Sequence, residues 1–163
     1  MPVTPDLFRA VLGRFASGVT ILTTRNAREE DHGMTASAFC SVSLEPPLVL
    51  ACIENTTDMY RMLRVDEQFG VSILAEAQEA LSRRFAELPA NRFDGIGYTR
   101  GDSGVILLDD AIAHLECRCV ARHEAGDHDI VIGAVEDARV EATAAGAGRP
   151  LLYYRGGYAQ LER

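Results

Sequence analysis

Leu7, Phe8, Val11, Leu12 and Phe15 recur every three or four residues, the spacing of one helical face. Thr4-Pro5-Asp6 ahead of them supplies an N-cap, a proline at the first helical position and an acid in the first turn. The pattern predicts an amphipathic helix over 5–16, ended by Gly18. β-Branched Val19 to Thr24 reads as a strand, and Asn26 to His32 as a charged connection. From Gly33 to Val49 the chain is small and hydroxyl-rich, free of charge until Glu45-Pro46-Pro47, and reads as a second, antiparallel strand. Buried hydroxyls need partners, so two readings stand side by side. One is a half-exposed strand with Thr and Ser on its wet face; the other is backbone lying against something flat and polar.

Pro47 to Ile53 is a continuous apolar run, which predicts a strand buried on both faces. It meets the polar turn Glu54-Asn55-Thr56-Thr57-Asp58, after which Met59, Met62 and Leu63 mark a short helix. Strand, hydroxylated turn and helix can form an anion site from first-turn amides; a plain helix cap is the alternative. Phe69–Leu74 alternates as a strand, and Ala75–Leu88 reads as a helix with Ala80, Leu81, Phe85 and Leu88 inward, stopped by Pro89. Residues 91–104 form a glycine-rich loop. Ala111–His123 and Asp129–Val140 are long strands around a hairpin signal at Gly126-Asp127. A small-residue loop at 142–148 leads to strands at Leu151–Tyr154 and Tyr158–Leu161. About seven strands and three helices, without the alternation of a parallel sheet, predict one α+β, mainly β, domain over 1–163. Antiparallel strands in this number close into a small barrel that removes their edges.

Composition narrows the chemistry. A net charge of −8 argues against a nucleic-acid surface. All 16 basic residues are arginine, which removes lysine nucleophiles and Schiff bases and leaves the arginine fork for phosphate. Cys40, Cys52, Cys117 and Cys119 read as reduced, buried cysteines. They lack the second pair or the histidine spacing of a zinc site, so no metal is predicted. No stretch approaches a membrane span or a signal peptide, and the expected location is cytoplasmic.

Dinucleotide-binding Gly-x-Gly-x-x-Gly, a Walker loop, a Gly-x-Ser-x-Gly elbow and His-Glu-x-x-His are all absent. Asp109-Asp110 reads as a solvated turn, and His32 and His114 as surface or strand residues. His128, in Gly126-Asp127-His128-Asp129 at the hairpin, is the histidine placed to reach a pocket mouth.

Six segments in order carry a resemblance: Phe8-Arg-x-x-Leu-Gly-Arg-Phe-Ala-Ser-Gly-Val-Thr-Ile-Leu-Thr24, Gly33-Met-Thr-Ala-Ser-Ala-Phe-x-Ser-Val-Ser-Leu-x-Pro-Pro-Leu48, Cys52 with its polar turn, Arg92-Phe93-x-Gly95, Gly126-Asp-His-x-Ile-Val-Ile-Gly133 and Pro150-Leu-Leu-Tyr-Tyr-Arg-Gly-Gly-Tyr158. Together the chain resembles the short-chain flavin reductases, split-barrel proteins that serve as reductase components of two-component monooxygenases. The resemblance implies an antiparallel Greek-key split barrel, a homodimer, and flavin bound near the dimer interface. It implies that Met34, Thr35, Ala36 and Ser37 lie along the flavin ring, with backbone of Ala51, Cys52 and Ile53 nearby. It implies that Asn55, Thr56 and Thr57 hold the phosphate, that Arg92 and Phe93 help close over the cofactor, and that His128 sits where the nicotinamide stacks. Asp58 departs from the Ser or Thr common in the family at this point.

The expected activity is hydride transfer from NADH or NADPH to FMN or FAD, with reduced flavin diffusing to a partner monooxygenase. The protein's share is stacking geometry and hydrogen bonds, with N–H and hydroxyl donors of Thr35 to Ser37 aimed at the flavin's polar edge. Two alternatives remain open: a split barrel that retains its flavin and reduces another acceptor, such as a ferric chelate, and a non-enzymatic flavin carrier or sensor.

Overall fold

The computed structural model describes residues 2–87, 90–142 and 148–162. Helix α1 spans Pro5–Leu12, with Thr4 Oγ1 accepting from the Leu7 N–H at 3.2 Å. It ends before residue 16 because the Arg14 and Phe15 amides turn to the carbonyls three residues back (3.1 and 3.0 Å), a tightened last turn. The Gly13 carbonyl is taken by the Arg155 N–H at 2.7 Å.

The elements that follow are β1 (Ser17–Gly18), β2 (Thr20–Arg25), β3 (Asp31–Ala36), β4 (Phe39–Leu44), β5 (Pro47–Glu54) and α2 (Asp58–Met62). Then come β6 (Gln68–Ile73), a 3-10 turn at Glu76–Gln78, α3 (Glu79–Ala86), β7 (Tyr98–Arg100) and β8 (Ile106–Leu108). The chain finishes with β9 (Ala113–Ala125), β10 (His128–Val140), β11 (Leu152–Tyr154) and β12 (Gly157–Ala159).

Seven strands pair in the order β3-β2-β6-β9-β10-β5-β4, antiparallel at every step. Leu22, Ala36, Val49, Ala51, Ile53, Phe69, Val71, Cys117, Cys119 and Val131 meet in one core, closed at one end by Met59 and Leu63. Residues from both ends of the sheet share that core, so the sheet is rolled into a barrel. It is nevertheless split. The outermost strands β3 and β4 are consecutive in the chain, separated by Ser37-Ala38, and do not pair with each other.

Strand β2 is buried on both faces. Its inner residue Leu22 belongs to the barrel core, while Ile21 joins Val19, Leu74, Phe85, Ile106, Leu108 and Leu151 in a second core under α3 and β8. Its threonines satisfy themselves inside: Thr20, Thr23 and Thr24 donate to the carbonyls of Ala36, Ile106 and Gln68 at 2.8, 2.5 and 2.8 Å.

Several expectations change. The 33–49 stretch is not one strand: it runs from β3 through β4, with a break at Ser37-Ala38, into the start of β5. Strand β5 alternates instead of being buried on both faces: Val49, Ala51 and Ile53 face the core while Leu48, Leu50 and Cys52 are half-buried outside. On the helix predicted from 75, Ala80 is exposed and the buried positions are Ala75, Gln78, Ser82 and Phe85. Gln78 is buried because its side chain is fully used, accepting from the Ala75 N–H at 2.9 Å and donating to the Asp109 carbonyl at 2.9 Å. Leu88, Pro89 and residues 143–147 lie outside the described residues. His114 is buried, with Nε2 facing the Leu108 carbonyl at 2.8 Å and Nδ1 facing Glu141 at 3.1 Å. The strands read at Leu151–Tyr154 and Tyr158–Leu161 form β11 and β12, but in a small separate sheet with β1, and the β7-β8 pair was not foreseen. The two-residue β1 and the three-residue β7 and β8 carry too little periodicity to register.

Candidate active site

On β3 the two faces have different tasks. Met34 and Ala36 turn inward to the barrel core, while Gly33 and Thr35 turn outward beneath α3. A Cβ on Gly33 would stand 2.7 Å from Phe85 and 3.1 Å from Phe93, so the absence of a side chain lets both rings close on the strand. Thr35 Oγ1 donates to the Ser82 carbonyl at 2.6 Å. Its proton is therefore spent on α3. Ser37, the next outward position, is exposed. It lines a cavity of about 200 Å³ with Thr35, Ser82, Tyr153 and Tyr158, and another of about 420 Å³ with Ala38, Phe15 and Tyr153.

Just past the β4–β5 ladder, the Cys52 N–H donates to the Ala38 carbonyl at 3.0 Å. This brings β5 beside the end of β3. Ala36, Ala51 and Ile53 have their side chains in the core, so they can offer a ligand only backbone; Met34 and Cys52 are half-buried. Burial, with Cys40 adding to it, pushes the Cys52 thiol up.

Arg92 is buried and donates to the Gly33 carbonyl. Burial lowers its pKa, and Asp58 opposes that shift. His32, also on β3, has its pKa lowered by burial first and then by the Arg92 charge, with Asp58 acting in the other direction. The three groups thus form one electrostatic cluster linking β3, the start of α2 and the loop before β7. Phe93 packs edge-on against Phe85 and Tyr98, with centroids 5.1 and 6.3 Å apart.

The 55–57 turn is tightly bonded. Thr57 caps α2, accepting from the Tyr60 N–H at 3.2 Å and donating to the Glu54 carbonyl at 2.8 Å. Thr56 Oγ1 donates to Glu54 Oε1 at 3.0 Å. Asp58 pairs with Arg61 at 2.5 Å. The Asn55 N–H donates to the Asp127 carbonyl at 3.0 Å, and His128 sits opposite Glu54 in the β5–β10 register. His128 Nδ1 lies 2.7 Å from Asp127 Oδ1, and this hydrogen bond holds the Asp127 carboxyl below the usual range. A carboxylate can only accept, so Nδ1 carries the proton and Nε2 is the nitrogen left to meet a ligand.

The structure gathers the predicted residues into two groups. Met34–Ser37, Ala51–Ile53, Arg92 and Phe93 surround the split, while Asn55–Thr57 and His128 meet at the hairpin tip. No hydrogen bond among the described residues joins His128 to 34–37. Sequence reasoning missed His32, Ser82, Phe85 and Tyr158. Ser82 Oγ and Tyr158 Oη lie 2.8 Å apart, a contact between segments whose nearness no local pattern announces.

A model of the flavin reductase like domain matches residues 12–162. An NADH-dependent flavin reductase of a Rhodococcus species is 46% identical over 162 residues, covering 98% of this chain and 88% of its own. The reductase component of Thermus thermophilus 4-hydroxyphenylacetate 3-monooxygenase is 40% identical, covering 96% of each. Among solved structures, the NADH:FAD oxidoreductase of Streptomyces globisporus, in complex with NAD and FAD fragments, superposes with a TM-score of 0.89 at 36% identity, covering 99% of this chain and 97% of that one. The split sheet, its open strand and these likenesses agree: the chain belongs to the flavin reductase-like domain family.

Proposed function

We propose that the chain is an NADH:flavin oxidoreductase that supplies reduced FMN or FAD, by diffusion, to a separate flavin-dependent monooxygenase in the cytoplasm. NADH is the nucleotide in the names of the Rhodococcus and Streptomyces relatives, and the Thermus relative is a monooxygenase component. The observation that carries the reading is the unpaired edge of β3 at Met34–Ser37, flanked by Cys52 and Arg92, in a chain of this family. A flavin ring presents flat apolar faces and a polar rim. An open strand edge with small side chains and half-buried Met34 and Cys52 fits both. When bound, the flavin supplies the two-electron acceptor for the hydride of the dihydronicotinamide.

The chain's own residues bind, orient and exclude water. Ser37 Oγ is the hydroxyl of the segment free to donate, because Thr35 is committed to Ser82. Met34, Thr35 and Ala36 offer those backbone groups that point away from β2, and Ala51, Cys52 and Ile53 form the neighbouring wall. Arg92 and Phe93, fixed on Gly33, close over the site. Asn55, Thr56 and Thr57 hold the phosphate, with Asp58 drawn aside by Arg61. His128 orients the nicotinamide through Nε2, its tautomer held by Asp127.

A second copy of the chain covers α1. Leu7, Phe8, Val11 and Leu12 are each at least half exposed, and Phe15 is 80% exposed. The helix buries none of its residues, yet eight residues do not hold a helix in water without tertiary packing.

Anaerobic NADH oxidation with added FMN, FAD or riboflavin tests the activity; no flavin-dependent turnover with NADH or NADPH sinks it. Ser37→Val and His128→Ala each lower kcat/KM by about 10-fold or more without changing the thermal midpoint. Unchanged kinetics in both refutes the site assignment.

A further inference from the structure

Arg122 stands apart from the segments assigned to ligands, yet its side chain is only 15% exposed. Nε and Nη2 meet Asp129 Oδ2 at 3.0 and 2.8 Å. Nη1 donates to the carbonyls of Tyr60 and Leu63 at 2.9 and 2.7 Å, and the guanidinium lies 4.3 Å from the centroid of the Tyr60 ring. Those carbonyls belong to the end of α2, whose last acceptors have no partner within the helix. The Asp129 side chain is 8% exposed, and a carboxylate so placed needs the pairing that Arg122 gives it.

The β9–β10 hairpin therefore grips α2 and the turn before it, one point on each. At the tip, the Asp127 carbonyl accepts from the Asn55 N–H, next to His128. Further back on β9, Arg122 holds the far end of the helix. Asn55, Thr56 and Thr57 lie at the near end of the gripped segment, and α2 has only five residues with which to define its own tilt.

We infer that Arg122 is a positioning residue. By tying the end of α2 to the strand that leads to His128, it sets the 55–57 turn relative to that histidine and so favours flavins that carry a phosphate. This rests on the reading that the turn meets the flavin phosphate. Lysine in its place keeps a charge for Asp129 but lacks the planar fork needed to reach the carboxylate and two carbonyls together.

Steady-state oxidation of NADH with FMN and with riboflavin, which has no phosphate, tests the role. The wild type favours FMN in kcat/KM. Arg122→Lys shrinks that preference about 10-fold, through the FMN KM, with kcat for FMN within about twofold. A wild type indifferent to the phosphate defeats the phosphate reading itself. A wild type that favours FMN beside a variant with the same preference overturns the positioning role. Parallel loss with FMN and riboflavin also overturns it, since that marks Arg122 as stabilising alone. Should Arg122→Lys not fold, Arg122→Gln with Asp129→Asn removes both buried charges and is read by the same criteria; failure of both to fold also overturns the role.

Discussion

Single side chains decide how closely the elements around the split can approach. Gly33 is the sharpest case. In Gly33→Ala the new methyl must displace Phe85 and Phe93, both already packed, and overpacking of this kind costs about 1–3 kcal/mol. A urea midpoint unchanged from wild type would show that the rings have room to retreat. His32 gives the pH dependence. Burial and Arg92 hold its folded-state pKa below the ordinary 6.5, so below pH 6.5 the unfolded chain takes up the proton first. Its contribution is complete above that value and is lost as pH falls toward the folded value. His32→Gln therefore loses less stability than wild type between pH 7.5 and 5.5; equal losses would refute the assignment. At this scale the sequence was partly legible. The hydroxyl-rich 33–49 stretch and His128 stood out by type and context, and Met34–Ser37 within it by the family resemblance, whereas the commitment of Thr35 to Ser82, or of Arg92 to Gly33, joins residues 47 and 59 apart. Such pairs become visible only when α3 and the loop before β7 have a place in the fold.

Among elements, the β7–β8 hairpin shows how a loop without a strong pattern becomes fixed. Glu116 on β9, buried to 3% exposure of its side chain, accepts from the Asp102 N–H at 3.1 Å, from the Ser103 N–H at 2.8 Å and from Ser103 Oγ. With the turn held, Arg100 reaches Asp31 at the start of β3 with both nitrogens, at 2.9 and 2.6 Å, and Tyr98 supports Phe93. Glu116→Gln sets an amide N–H₂ where only an acceptor is satisfied. It should cost about 2–4 kcal/mol in denaturant melts, with amide exchange in 98–104 rising more than in β9. A cost below 1 kcal/mol would make the carboxylate incidental. The glycine-rich character of 91–104 was readable as a loop, but not the short strand inside it or the one just after it. Their order is imposed by a carboxylate on another strand. The same reasoning explains β5: its apolar run suggested two buried faces, but the outer face of an edge-adjacent strand is covered only in part.

At the scale of the whole molecule, the mainly β, antiparallel architecture was legible because long alternating segments and hairpin signals persist over many residues. The number of sheets was not, since two-residue strands have no period. What the isolated chain leaves uncovered is also informative. Beyond α1, Leu44 is 92% exposed and Val42 49%, more apolar surface than single scattered residues account for. Phe8→Asp with Phe15→Asp should convert the proposed homodimer to monomer in light scattering and weaken flavin binding with it. A wild type that is already monomeric would end that proposal.

The split between β3 and β4 has a consequence for time as well as shape. Amides along a paired strand open only when a neighbour lets go, whereas those on an unpaired border answer to solvent directly. Ser37, Ala38 and those amides of 34–36 that point away from β2 should therefore exchange hydrogen fast in the free protein and slowly once FMN is present, while β6 and β9 change little. The proposed flavin site lies on that border, so a ligand there would complete the wall on arrival and leave without any strand parting.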